Sequence, residues 1–237
     1  MLESLKIIDC HVHLGYALTR DEILDSMQKY GIEKAVVFAF PTEAAHDSRV
    51  NDLVLTQSRV AKVFIPFFYV MDDLKLPLSF EEFRGVKWHW VRGVAHMQSN
   101  LSVLIDPSFK SFVDKVLEAD VPVILEEDFE FTVDFVAKAE GVKVIIPHMG
   151  LLGGSPKMFI DRFKNVEDVY FDTSLASSDV ILESIKALGA NRIVFGSDMP
   201  FGEQGRELDK ILKLDIADDD KRKILYDNLA KLLRITS

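Results

Sequence analysis

The chain has 237 residues, 48% of them hydrophobic, and carries 28 Lys and Arg against 38 Asp and Glu, a formal net charge of -10. An acidic chain without a basic run disfavours nucleic acid, since phosphate neutralisation needs concentrated positive charge, and no apolar run approaches the roughly 18 residues of a membrane span. Met1 to Asp9 lacks a basic region followed by a long apolar stretch, and the lone Cys10 forms no internal disulfide, so the sequence reads as one cytoplasmic domain, residues 1–237, with a good core.

Short runs rich in Val, Ile and Phe alternate with amphipathic stretches throughout, the rhythm of parallel strands covered by helices. The first run, Leu5 to His13, leads into a helix marked by a capping box at Thr19 and Glu22, a stripe of Ile23, Met27 and Tyr30, and a Gly31 stop. Runs two and three are Lys34 to Phe40 and Val63 to Val70. The fourth, Gly85 to Trp90, lies between Met71 to Arg84 and Val91 to Ile105, two segments that suit loops over an active face. Asp106 and Pro107 open a helix with Phe109, Phe112, Val113 and Val116 on one side, ahead of the fifth run, Val121 to Glu126. The last three runs are Val142 to His148, Val169 to Asp172 and Arg192 to Ser197, with Ile181, Ile185 and Leu188 striping an intervening helix. Asp218 to Ile235 is the plainest helix, placed to close an end of the assembly through Ile224, Leu225, Leu229, Leu232 and Leu233. Strands buried on both faces in this order predict an α/β fold, a single (β/α)8 TIM barrel with parallel strands and short loops.

Polar residues stand where such strands hand over to their loops: His13, Glu126, His148, Asp172 and Asp198. Strand alternation puts His11 and His13 on one face, about 6.5 to 7 Å apart at Cα, with Cys10 and Val12 turned away; both imidazoles reach one ion. Asp9 suits a supporting hydrogen bond. Asp198 brings a hard oxygen ligand from the strand that neighbours the first on closure; by itself it also suits a turn ahead of Pro200. His148, followed by the glycines from Gly150 to Gly154, adds an imidazole.

The motifs Ile8-Asp9-Cys10-His11-Val12-His13, Val121 to Leu125, Pro147-His148-Met149-Gly150, Phe195-Gly196-Ser197-Asp198-Met199-Pro200 and Tyr226 to Leu233 resemble, together and over nearly the whole chain, the amidohydrolase superfamily, and within it the amidohydrolase-related group of hydrolases and decarboxylases. The resemblance implies that His11, His13 and Asp198 bind a divalent metal, zinc foremost with manganese or iron as alternatives, that Asp198 also serves as acid and base, and that His148 binds metal or contacts substrate. The family's fifth-strand histidine is replaced by Glu126, which either serves as a metal ligand or belongs with Glu127 and Asp128 to a solvated loop start or helix N-terminus. His89 either supplies the absent imidazole or, with Lys87, contacts substrate, the reading preferred, or packs against the tryptophans; Arg92 either holds a carboxylate or, the preferred reading, lies on the surface, and His46 and His96 receive no role. The expected activity is hydrolysis of an ester, lactone or amide of a small carboxylic acid through metal-activated water. Non-oxidative decarboxylation, and a barrel that only binds a ligand, are the alternatives. The expected partner is a small-molecule substrate, with neither nucleic acid nor membrane, and a homo-oligomer is compatible with the sequence.

Overall fold

The computed structural model describes residues 5–47, 49–93, 96–97 and 99–235. The first run forms β1 (Ile8–His13), followed by α1 (Arg20–Tyr30), β2 (Lys34–Phe38), α2 (Pro41–His46), α3 (Val50–Val60), β3 (Phe64–Pro66) and β4 (Phe68–Tyr69). Then come β5 (Val86–His89), an antiparallel hairpin of β6 (Val91–Gly93) and β7 (His96–Met97), α4 (Pro107–Ala119), β8 (Val123–Glu126) and α5 (Phe129–Lys138). The chain continues through β9 (Val144–Ile146), α6 (Pro156–Phe163), β10 (Val169–Asp172), α7 (Ser178–Leu188), β11 (Ile193–Val194) and α8 (Gln204–Lys213). It closes with α9 (Asp218–Arg222), a π-helical turn over Lys223–Asp227 and α10 (Asn228–Leu232).

The strands pair in parallel in the order β1-β2-β3 and β4-β5-β8-β9-β10-β11. Two seams complete the ring. At the first, β3 and β4 are one run in which successive amides bond opposite neighbours, Phe67 N to Val37 O and Phe68 N to Gly85 O, each 2.9 Å. Gly85 is needed there, because a Cβ would sit 2.3 Å from the Phe67 ring. At the second, Cys10 N donates to Phe195 O at 2.9 Å, Asp198 N to His11 O at 2.8 Å and His13 N to Met199 O at 2.9 Å, tying the last strand and its continuation to β1. The result is the expected (β/α)8 TIM barrel, with one economy: a 3-10 turn at Phe80–Glu82 stands where a helix would join β4 to β5.

Side chains divide by alternation into two buried layers. Val86, Trp88, Val123, Leu125, Val144, Ile146, Val169 and Phe171 pack outward against the helices, with the Trp88 ring edge-on to Phe112 and Phe135 at 5.4 and 5.3 Å. Ile8, Cys10, Val36, Phe38, Ile65, Phe67, Ile124, Ile145 and Val194 form a second, interior cluster, joined by Tyr226, Leu229, Ala230, Leu232 and Leu233 from the final helix. That helix plugs the amino-terminal end of the barrel, which leaves the carboxyl-terminal end for the polar residues. The capping box at Thr19, the left-handed Gly31 and the Asp106 cap stand as the sequence indicates.

One expectation is corrected. Cys10 and Val12 do not share a side of β1: Cys10 lies in the interior cluster and Val12 in the outer one. A register shift between Asp9 and Val12 breaks the alternation, and the Asp9 carboxylate fills it by accepting from His11 N at 3.1 Å and Ser197 N at 2.9 Å.

Candidate metal centre

Every site residue named from the sequence comes to the carboxyl-terminal end of the barrel interior. His11 and His13 lie on β1, Lys87 and His89 on β5, and Glu126 ends β8. Asp172 ends β10, while His148 and Asp198 follow β9 and β11. All are buried, none more than 6% exposed. The loop backbone is bent hard to place them: His148, Met149, Leu175 and Asp198 are left-handed, with φ of 55, 54, 57 and 57°, conformations that cost roughly 1–3 kcal/mol each and gather at working sites.

The first group of donors is His11, His13 and Asp198, which offer ligand atoms within 4.8 Å of one another. His11 Nε2 and His13 Nε2 lie 3.2 and 3.0 Å from Asp198 Oδ1. Because His11 Nδ1 faces Asp172 Oδ2 at 2.8 Å, and a carboxylate only accepts, the proton sits on Nδ1 and Nε2 presents a lone pair. Burial, then the Lys87 charge, push His11 down to about 4, so it stays neutral. A lone pair and a carboxylate oxygen thus face each other at 3.2 Å, an arrangement that calls for a cation. Two imidazoles and a carboxylate suit zinc, manganese or iron.

The second group, His11, Glu126 and His148, also falls within 4.8 Å, but Glu126 is heavily engaged. Its Oε2 accepts a very short hydrogen bond from Lys87 Nζ, and its Oε1 lies 3.4 and 3.5 Å from His89 Nε2 and His148 Nε2. Burial would raise the Glu126 carboxyl, yet the Lys87 and His89 charges hold it well below the usual range. Of the acidic triplet, Glu127 is buried on the helix side of the wall, accepting from Trp88 Nε1 at 2.9 Å, and only Asp128 behaves as a helix cap, accepting from Phe131 N. Lys87 is wholly enclosed, its Nζ 3.3 Å from His11 Nε2 and 4.8 Å from the Phe38 ring.

Two further residues shape the site: Asp172, whose strand-end position carries no role in the sequence, and Ser174, which no sequence signal marks. Asp172 Oδ1 accepts from His148 N at 3.0 Å, from Ser174 N at 2.9 Å and from the Ser174 hydroxyl. Ser174 Oγ, having donated there, accepts from His148 Nδ1 at 2.8 Å. One carboxylate therefore orients both His11 and His148. Burial would raise it, but the attraction and hydrogen bond of the His11 imidazole, then the His148 charge and the Ser174 hydrogen bond, hold it down to about 2. Burial opposes protonation of His148, but Glu126, Asp172 and Asp198 outweigh it and raise the imidazolium to about 9. The sequence signal for Asp172 was its inward place at a strand end; Ser174 had none.

His13 Nδ1 has no hydrogen-bond partner among the described residues, so the ring hydrogen-bonds there only through Nε2 and otherwise packs against Phe38 and Phe40. Phe201, 65% exposed, stands edge-on to His13 at 5.3 Å. His46 sits apart, bonded to Thr42 O, and Arg92 and His96 lie outside the residues whose side chains are described.

The family model described as amidohydrolase matches residues 8–235. No curated protein matches. Among solved structures, 2,6-dihydroxybenzoate decarboxylase from Rhizobium superposes with a TM-score of 0.78 at 17% identity, covering 98% of this chain and 99% of that one. A dihydroxybenzoic acid decarboxylase from a Polaromonas species, with bound manganese and the inhibitor 2-nitroresorcinol, gives 0.75 at 18% identity, over 98% of each chain. A probable 2-pyrone-4,6-dicarboxylic acid hydrolase from Acinetobacter baumannii, with citric acid bound, gives 0.73 at 14% identity, over 97% of this chain and 100% of that one.

Proposed function

Since this chain belongs to the amidohydrolase family, we propose that it is a metal-dependent hydrolase acting on an ester, lactone or amide of a small carboxylic acid. The observation that carries the reading is the convergence of His11 Nε2, His13 Nε2 and Asp198 Oδ1 opposite the His148 imidazole. In this reading those three residues hold a divalent ion, with zinc favoured by the two imidazoles. Such an ion supplies Lewis acidity and brings the ionisation of water toward neutral pH.

The chain's own groups supply the rest. Burial works to raise Asp198, but the neighbouring histidines hold its carboxyl below the ordinary range, so it is ionised at neutral pH and fit to accept a proton. Its Oδ2 is the oxygen turned toward His148, 4.0 Å from Nε2. Asp198 takes the proton of the attacking water there and returns it to the leaving oxygen or nitrogen. His148 keeps its Nε2 proton through neutral pH, and that N–H stabilises the charge that builds on the attacked carbonyl oxygen. His89, at the edge of the cluster, contacts the substrate; Lys87 acts through Glu126, since its enclosed Nζ has no exposed face.

A second reading, non-oxidative decarboxylation, draws on the likeness to two decarboxylases of hydroxylated benzoates, with His148 or Asp198 delivering the proton that replaces the carboxyl group. Zinc- and manganese-loaded protein incubated with lactones, pyrone carboxylates, esters and dihydroxybenzoates in 18O-water separates the two. Uptake of 18O into a new carboxylate is the expected result, carbon dioxide release without it supports the second reading, and absence of stoichiometric metal after reconstitution refutes both.

A further inference from the structure

Resting on the metal reading above, we propose that the Lys87 ammonium competes with the metal ion for the His11 Nε2 lone pair and so sets how tightly the site holds metal. The geometry is a contest for one electron pair. Asp172 fixes the His11 proton on Nδ1, and the remaining lone pair is the one that the first donor group offers to an ion. Lys87 Nζ already stands 3.3 Å from it.

Three contacts hold the ammonium in place: Glu126 Oε2, the Phe38 ring face and His11 itself. None of its surface reaches solvent, so the charge has no water to retreat into when a second cation arrives. An ion bound by His11, His13 and Asp198 must take the lone pair from Lys87 and leave its ammonium wholly to Glu126. The same pairing keeps Glu126 from joining the ion's shell, although Glu126 belongs to the second donor group with His11 and His148. Lys87 therefore weakens metal binding in two ways, through the His11 nitrogen and through the carboxylate it occupies.

The test is calorimetric titration of the metal-free full chain with zinc alone and manganese alone, using a competing chelator where binding is tight. Lys87→Met frees both the lone pair and Glu126. Because that variant also leaves the Glu126 carboxylate without its ammonium, with His89 and His148 as its remaining neighbours, Lys87→Met/Glu126→Gln serves as the second: it removes both charges and leaves no freed carboxylate to join the ion's shell. Both variants are expected to bind zinc at least tenfold more tightly than wild type. Equal or weaker binding by the double variant overturns the proposal, weaker binding showing that Lys87 supports the ion. Zinc bound normally by wild type and equally by the double variant refutes the competition alone; no zinc bound by any of the proteins refutes the metal reading as well.

Discussion

Asp9 is the residue whose replacement tests the seam most directly. Its carboxylate is fully buried, accepts from His11 N, Ser197 N and Gln204 Nε2, and is raised by burial from 3.8 to about 6 despite those donors. A group whose folded pKa lies above its unfolded one binds its proton more tightly in the fold, so its effect on stability improves as pH falls from 6 toward 4. At pH 7 the ionised form costs the fold about two pKa units, or about 3 kcal/mol at 1.36 kcal/mol per unit. Asp9→Asn removes that cost, keeps an oxygen for the two backbone donors, and points an amide at Gln204. The Gln204 side chain can answer by turning over, since its Oε1 is buried without a partner among the described residues. The metal-free variant is therefore expected to be more stable than wild type at pH 7 by about 1–3 kcal/mol, with a melting temperature higher by roughly 2–4 °C per kcal/mol. Urea unfolding at pH 7 and pH 4.5 checks it: the advantage should shrink at the lower pH, where wild-type Asp9 is protonated in the fold. A variant less stable at pH 7, or a difference indifferent to pH, refutes the reasoning.

His148 titrates in the opposite window. Its folded value near 9 against an ordinary 6.5 means stability present in full below 6.5 and lost as pH rises through 9, about 3 kcal/mol in all, and urea unfolding of metal-free protein should show this loss in wild type and not in His148→Gln. Asp172→Ala removes the acceptor that fixes the His11 tautomer, so zinc affinity measured against a chelator should fall about 10- to 100-fold. Ser174→Ala leaves His148 Nδ1 without its acceptor; activity should fall and Ser174→Thr should restore it, whereas full activity in the alanine variant would show that Asp172 orients the ring through His148 N alone. Gly150→Ala should cost roughly 2 kcal/mol or more in denaturant unfolding, because φ is +84° and the new Cβ would sit 2.3 Å from the Phe159 ring.

The barrel was legible because its signal repeats. Each run carries its own alternation, so Lys87, Glu126 and Asp172 could be placed beside Ile124, Ile145 and Val194 on the inner side once the period was known. The break came where alternation itself breaks. Cys10 is turned inward by a shift that depends on a hydrogen bond from Ser197, more than 180 residues away in sequence, and no local pattern announces it. The absent helix between β4 and β5 was equally hidden, for the aperiodic stretch from Met71 to Arg84 reads the same whether it forms a loop over the active end or a short connection.

Within the site, the sequence names which polar residues face inward but not which of them meet, because meeting depends on the register between neighbouring strands. β5 and β8 pair with His89 opposite Glu126 and Lys87 opposite Ile124, so Lys87 lies two residues deeper and reaches Glu126 on the diagonal. A slip of two residues in the direction that drops Lys87 still deeper would keep every side chain on its present face and yet separate that pair. Glu126, which the resemblance sets where the family's pattern calls for a histidine, therefore has to be read with Lys87: an acid placed alone at this depth offers a free ligand, whereas an acid within reach of a buried ammonium forms an ion pair. The position where the resemblance breaks is also where the site holds a buried ammonium, and under the proposed competition the affinity of the double variant measures how strongly the two are linked.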